Sequence, residues 1–283
     1  MGIVIITPSY RPKNLQKIVK TIDFDYVCLW VIVYDQTKIK KNPQQFKEHP
    51  QIVELIHTSP GISGNPQRNF GLDFVEFHLL KHPFYVAWNN GQLNKEILKD
   101  YAEQYYQHIK AFPRYISATH SICEDIENRK ILLDNLSDEE DFTKDHPMLW
   151  KNFALAVGAD ENTVETVDHE NFTKEMIDNF FRLSRSSYAE GLGALYAYER
   201  QVPEIADTKI KGLVDHYDVS SEEGLEYFVV HKDADVEHRE QSAELMNKLS
   251  EEEKILAKEA GLSTVKVLWG FLSGLCEKHN IQA

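Results

Sequence analysis

The chain has 283 residues, 42% hydrophobic and 11% aromatic, enough to bury a sizeable core in one large domain or two unequal ones. With 31 basic against 45 acidic residues its formal charge is −14, which excludes a broad attraction to phosphate backbones or anionic lipid, so neither nucleic acid nor a membrane is an expected partner. No basic n-region precedes the short apolar run that Pro8 interrupts, no window approaches 18 uninterrupted apolar residues, and Cys28, Cys123 and Cys276 are unclustered. A signal peptide, a membrane span and a disulfide framework are therefore not expected, and a reducing cytoplasm fits.

Gly2–Thr7 is a β-branched apolar run stopped by Pro8, the pattern of a buried parallel strand. Lys13–Ile22 carries Leu15, Ile18, Val19 and Ile22 at helical spacing, and Val27–Val33 and Ile52–Ile56 read as two further strands. Strands alternating with a helix at this spacing predict a small α/β, βαβ-type half-sheet. Thr7-Pro8-Ser9-Tyr10-Arg11-Pro12, Trp30-Val31-Ile32-Val33-Tyr34-Asp35 and Gly64-Asn65-Pro66-Gln67-Arg68-Asn69 resemble the start of a nucleotide-sugar glycosyltransferase domain of the GT-A type. The resemblance covers residues 2–72 and lacks that family's metal-binding Asp-x-Asp and its acceptor half. It implies a truncated remnant, with a nucleotide-sugar enzyme as the alternative. Helical periodicity from Arg68 to Lys81 predicts one helix running across the boundary, which falls at 72/73, without a flexible linker.

From residue 73 onward the pattern is helical. Asn94 is an N-cap candidate for a long amphipathic helix to Tyr115, and Ser121–Asp134 reads as a continuation. Met148–Val157 follows the first-turn Pro147, the stretch around Thr163 gives no clear signal, and Thr173 opens the next helix. Ala189–Tyr198 is rich in small residues, which permits close helix contacts. Asp207–Tyr217, Ser221–Lys248 and Ser250–Lys278 complete a mainly α bundle of about seven or eight helices.

On the helix from Ser221, residues His231, Asp235 and His238 fall within an arc of about 60°, and Asp235-x-x-His238 has the carboxylate-x-x-His spacing that aims two ligands inward in di-iron bundles. A charged, solvated helix face is the bland alternative. Glu199 closes a nearly uncharged helix, where burying a carboxylate is costly unless it is paired or bound to a cation. His146 precedes Pro147, which holds it near a helix start. Together with Glu139 these residues make a set of carboxylates and imidazoles suited to iron or manganese rather than to a structural zinc.

Phe84-Tyr85-Val86-x-Trp88, Tyr105-Tyr106-x-His108-Ile109-Lys110-Ala111-Phe112-Pro113, Leu132-Leu133-Asp134-Asn135-Leu136-x-Asp138-Glu139-Glu140, Leu195-Tyr196-x-Tyr198-Glu199 and His231-x-x-x-Asp235-x-x-His238 resemble, in order, the family of the Chlamydia protein associating with death domains. That family belongs to the haem-oxygenase-like di-metal oxidases, whose seven-helix fold is shared with PqqC and TenA. The resemblance covers about residues 75–283, within a helical domain at 73–283, and implies six metal ligands: Glu139, His146, Glu199, His231, Asp235 and His238. It also implies two metal ions, Fe/Fe or Fe/Mn, with O2 and an external reductant, in an oxygenase that makes para-aminobenzoate for folate synthesis. Tyr85 then matches a sacrificed ring donor, Lys209 the amine donor, and Tyr198 a tyrosine suited to radical transfer. Without the resemblance, Tyr85 reads as core packing and Lys209 as a solvated lysine. The alternatives are a di-metal oxidase of a free small molecule and an effector that binds host death-domain proteins around a vestigial site. A homodimer is compatible with any of these.

Overall fold

The computed structural model describes residues 3–9, 19–22, 27–35, 52–57 and 77–281, apart from the side chains of residues 3–9, 21, 27–31, 33–35, 52–57 and 233–240. The chain divides into two compact units, Met1–Phe77 and His78–Ala283.

In the first unit β1 (Ile3–Ser9), β2 (Val27–Asp35) and β3 (Ile52–His57) form a parallel sheet in the order β1-β2-β3. Ile6 pairs with Val31, and Val31 with Val53. Pro8 does not stop β1: it pairs with Val33 on an edge strand, where a missing N–H is tolerated. Of the helix expected over 13–22, Val19–Thr21 form a single 3-10 turn and the remainder up to residue 18 lies outside the described residues. The helix expected over 68–81 lies mostly outside the described residues, at 68–76. Of its described part, His78 has extended backbone, and only Leu79–Lys81 form a 3-10 turn.

The second unit contains ten α-helices among the described residues. They are α1 (Pro83–Asn89), α2 (Lys95–Ser121), α3 (Ile126–Glu139), α4 (His146–Ala156), α5 (Glu161–Thr166), α6 (Asn171–Ser186), α7 (Tyr188–Glu199), α8 (Val202–His216), α9 (Glu222–Lys248) and α10 (Glu251–His279). Asn94 Oδ1 accepts from Ile97 N at 2.9 Å and starts α2 as its sequence suggests. The helix does not continue past Ser121. Asp125 accepts from Asn128 N at 2.8 Å and starts α3 afresh after a four-residue break. The stretch around Thr163 is helical after all: α5 has six residues, too short for a periodic signal, and is capped by Asp160. Helix α8 begins at Val202 rather than Asp207, because Pro203 sits in its first turn where no N–H is needed.

The core is aromatic, with Phe84, Trp88, Tyr101, Tyr115, Trp150 and Phe153 fully buried. The small residues of α7 do what their spacing suggests, letting α10 approach to backbone contact. A Cβ on Gly193 would lie 2.1 Å from the carbonyl oxygen of Ala257. Because that neighbour is backbone, Gly193→Ala should separate two core helices and lower stability by about 3 kcal/mol, read as a shift in the urea midpoint at unchanged slope. Unchanged stability would show that α7 and α10 can part at no cost. No helix among the described residues is long and apolar enough to cross a membrane.

Candidate metal centre and its aromatic cavity

Glu139 is the last residue of α3 and His146 the first of α4. The intervening turn is tied by Asp141 Oδ1, which accepts from Thr143 N at 2.8 Å and Lys144 N at 2.9 Å, and α4 is capped by Asp145, which accepts from Met148 N at 2.7 Å. Lys144 reaches Glu226 on α9 in an ion pair. This hairpin turns the two side chains toward each other, with Glu139 Oε2 at 2.8 Å from His146 Nδ1 and both residues buried. His231, from the middle of α9, completes a group whose donor atoms all lie within 4.8 Å of one another. Its ring centroid is 4.3 Å from that of His146.

The His231 Nδ1–H donates to the Tyr227 carbonyl at 2.6 Å, one turn back. This fixes the tautomer and leaves the lone pair on Nε2, the arrangement usual for a metal-bound imidazole. The Tyr227 ring stacks on the same imidazole at 4.0 Å. A buried carboxylate and two imidazoles with gathered donor atoms fit a divalent first-row ion, and the set lacks the thiolates of a structural zinc site.

Glu199, the last residue of α7, is buried, as the charge-poor helix implied. Its Oε1 accepts from Asn135 Nδ2 at 2.6 Å and its Oε2 from Ser242 Oγ at 3.0 Å. These bonds offset part of the cost of burying the charge and orient the carboxylate. Glu199 is not one of the three residues whose donor atoms gather. The side chains of Asp235 and His238, further along α9, lie outside the described residues.

Beside His231 is a cavity of about 30 Å³ lined by Tyr85, Tyr105, Tyr198, Lys209 and Tyr227 among others. A water needs roughly 10–15 Å³, so the space as it stands admits one or two small molecules such as O2 or water. Lys209 is not solvated: it is 4% exposed. Its ammonium donates to the Tyr101 hydroxyl and lies 4.9 to 5.4 Å from the ring centroids of Tyr101, Tyr105, Trp150 and Phe228. Tyr85 lines the same cavity as Lys209, and its ring packs edge-on against Phe84, which in turn lies 5.0 Å from the ring of Tyr101. On the other side the Tyr105 hydroxyl donates to that of Tyr198 across 3.5 Å.

Burial lowers the pKa of Lys209 to about 7, and it holds the Tyr85 and Tyr198 phenols well above the usual tyrosine range. Between about 7 and the ordinary lysine value near 10.5 the unfolded chain binds a proton that the folded chain does not, so this group makes stability rise with pH across that window. Lys209→Met should therefore stabilise the protein near pH 7, by something on the order of 3 kcal/mol, with the gain shrinking toward pH 10. Equal gains at both pH values would mean that the amine titrates normally in the fold.

Sequence reasoning missed Asn135, Trp150 and Tyr227, each one helical turn from a proposed ligand (Glu139, His146 and His231) and readable from that spacing. It also missed Tyr101, Tyr105 and Ser242; the two tyrosines face the site from α2 and carry no local signal beyond an apolar stripe.

The helical unit has a haem-oxygenase-like fold: it aligns with a TenA homologue from Pseudomonas syringae (TM-score 0.66, 16% identity, 78% of this chain and 98% of that one) and with a CADD-like protein of unknown function from Nostoc punctiforme (TM-score 0.62, 18% identity, 77% and 96%). The model of the iron-containing redox enzyme family matches residues 99–266, and the chain belongs to that family. Its relatives include proteins named 4-aminobenzoate synthase. The one from Chlamydia muridarum is 42% identical over 201 residues, covering 71% of this chain and 85% of the relative, and the one from Nitrosomonas europaea is 38% identical over 217 residues, covering 71% and 87%.

Proposed function

We propose that this protein is an O2-dependent para-aminobenzoate synthase that takes the ring from its own Tyr85 and the nitrogen from Lys209. The observation that carries this reading is that Tyr85, Tyr198, Lys209 and His231 line one cavity. The names of relatives at 38–42% identity support the product.

In this reading Glu139, His146 and His231 hold metal together with Glu199, Asp235 and His238, in a site for two ions, Fe/Fe or Fe/Mn, served by an external reductant. Bound there, iron supplies one-electron and O2 chemistry that no ordinary side chain performs. The remaining tasks fall to the chain itself. Burial keeps the Tyr85 hydroxyl protonated until the reaction draws on it. At neutral pH Lys209 is partly the free amine, which an attack on an oxidised ring requires. Four rings surround its nitrogen, and the Tyr101 hydroxyl orients it. Tyr198 adjoins Glu199 in sequence and Tyr105 in space, a position suited to relaying an electron between centre and cavity. Residues 1–72 stand in this reading as a glycosyltransferase-like fragment outside the chemistry, and cytoplasmic residence fits the unpaired Cys123 and Cys276.

The test is protein loaded anaerobically with iron, or iron and manganese, then given O2 and reductant with no organic substrate. The expected result is para-aminobenzoate at no more than one molecule per chain. Product that appears only on adding a small molecule, and in excess of the protein, would make this a conventional oxidase.

A further inference from the structure

We propose that His82 is the positioning residue that sets Tyr85 in the cavity, acting through the start of α1 and through Ser273 on α10; this rests on the reading of Tyr85 as ring donor. Helix α1 has seven residues and is far too short to be stable by itself, so something outside it must fix where Tyr85 points. His82 holds its first three useful donors. The ring Nδ1 accepts from Phe84 N at 3.0 Å, and the His82 carbonyl accepts from Tyr85 N at 2.9 Å and Val86 N at 3.1 Å.

The other end of the imidazole is anchored across the bundle. His82 Nε2 lies 3.0 Å from Ser273 Oγ, and the ring packs edge-on against Trp269 of the same helix at 4.6 Å. Since Nδ1 accepts, a neutral ring carries its proton on Nε2 and donates it to Ser273. Burial lowers the pKa of His82 to about 4, so the ring stays neutral at ordinary pH. Each nitrogen thus has one fixed role, capping the helix and pinning it to α10. Leu268 and Leu272 of α10 line the same cavity as Tyr85, so the pin ties the reactive ring to its own wall. Reaction geometry tolerates errors of only about 1 Å, which makes such an anchor a determinant of rate as well as of order.

The experiment compares wild type with His82→Ala, His82→Asn and Ser273→Ala. Three quantities are read: bound iron, the rate of Tyr85 loss by peptide mass spectrometry after O2 addition, and amide exchange of residues 83–89 in iron-free protein. The expected result is that His82→Ala slows Tyr85 loss roughly ten- to a hundredfold with iron content unchanged, and speeds exchange in α1 but not in α2. His82→Asn should restore most of the protection, because Asn94 already caps α2 through its side-chain oxygen. It should recover only part of the rate, as it lacks the reach to Ser273. Ser273→Ala, a mild change on a helix, should behave like His82→Asn. Wild-type rates in both His82→Ala and Ser273→Ala would overturn the proposal, as would a loss in His82→Ala that tracks lost iron or that His82→Asn does not relieve. Wild type that makes product while keeping Tyr85 would overturn the ring-donor reading instead, and the exchange data would still decide whether His82 anchors α1.

Discussion

Tyr85→Phe protein, loaded with metal and exposed to O2 and reductant, should release no para-aminobenzoate while binding as much iron as wild type. The substitution removes one oxygen atom from a fully enclosed site, so packing is nearly unchanged. What disappears is the phenol, whose one-electron oxidation is far easier than that of a phenyl ring. Lys209→Arg should fail for a different reason: guanidinium stays charged and offers no nucleophilic nitrogen at neutral pH. Measuring product and iron together separates these chemical losses from a collapsed site. Product from Tyr85→Phe at the wild-type yield would remove Tyr85 from the account.

His231→Ala should lower iron affinity by at least about a hundredfold, seen as metal lost on gel filtration against a mild chelator, with helicity retained. It deletes an imidazole that the Tyr227 carbonyl orients with its free lone pair on Nε2. Asn135→Ala should cost less, about ten- to a hundredfold, because it releases the Glu199 carboxylate without removing it. The order matters more than the values. A larger loss from Asn135→Ala than from His231→Ala would mean that Glu199, rather than the Glu139, His146 and His231 group, dominates binding.

The long helices were legible because their signals are local. Asn94, Ser221 and Ser250 each cap the helix their position suggests, and Ser250 with Glu253 forms a reciprocal capping box. The break at Ile122–Asp125 and the six-residue α5 were not, since both are decided by one side-chain cap and by packing rather than by a repeating pattern. In the site, the burial of Glu199 followed from the cost of placing a carboxylate on an apolar helix, though its partners Asn135 and Ser242 lie 64 and 43 residues away. The approach of Glu139 to His146 depends on the Asp141 turn between them. Tyr85 and Lys209 are 124 positions apart, and composition made one a core tyrosine and the other a surface lysine. Only the family resemblance singled them out, and the bundle brings both to one cavity.

The most direct test of self-sacrifice is to grow the protein on ring-labelled tyrosine, load it with metal, supply O2 and reductant in the presence of unlabelled free tyrosine, and analyse both product and residue 85. The account predicts fully labelled para-aminobenzoate and a peptide that has lost the Tyr85 side chain in matching amount. Unlabelled product, with Tyr85 intact after several turnovers, would contradict it.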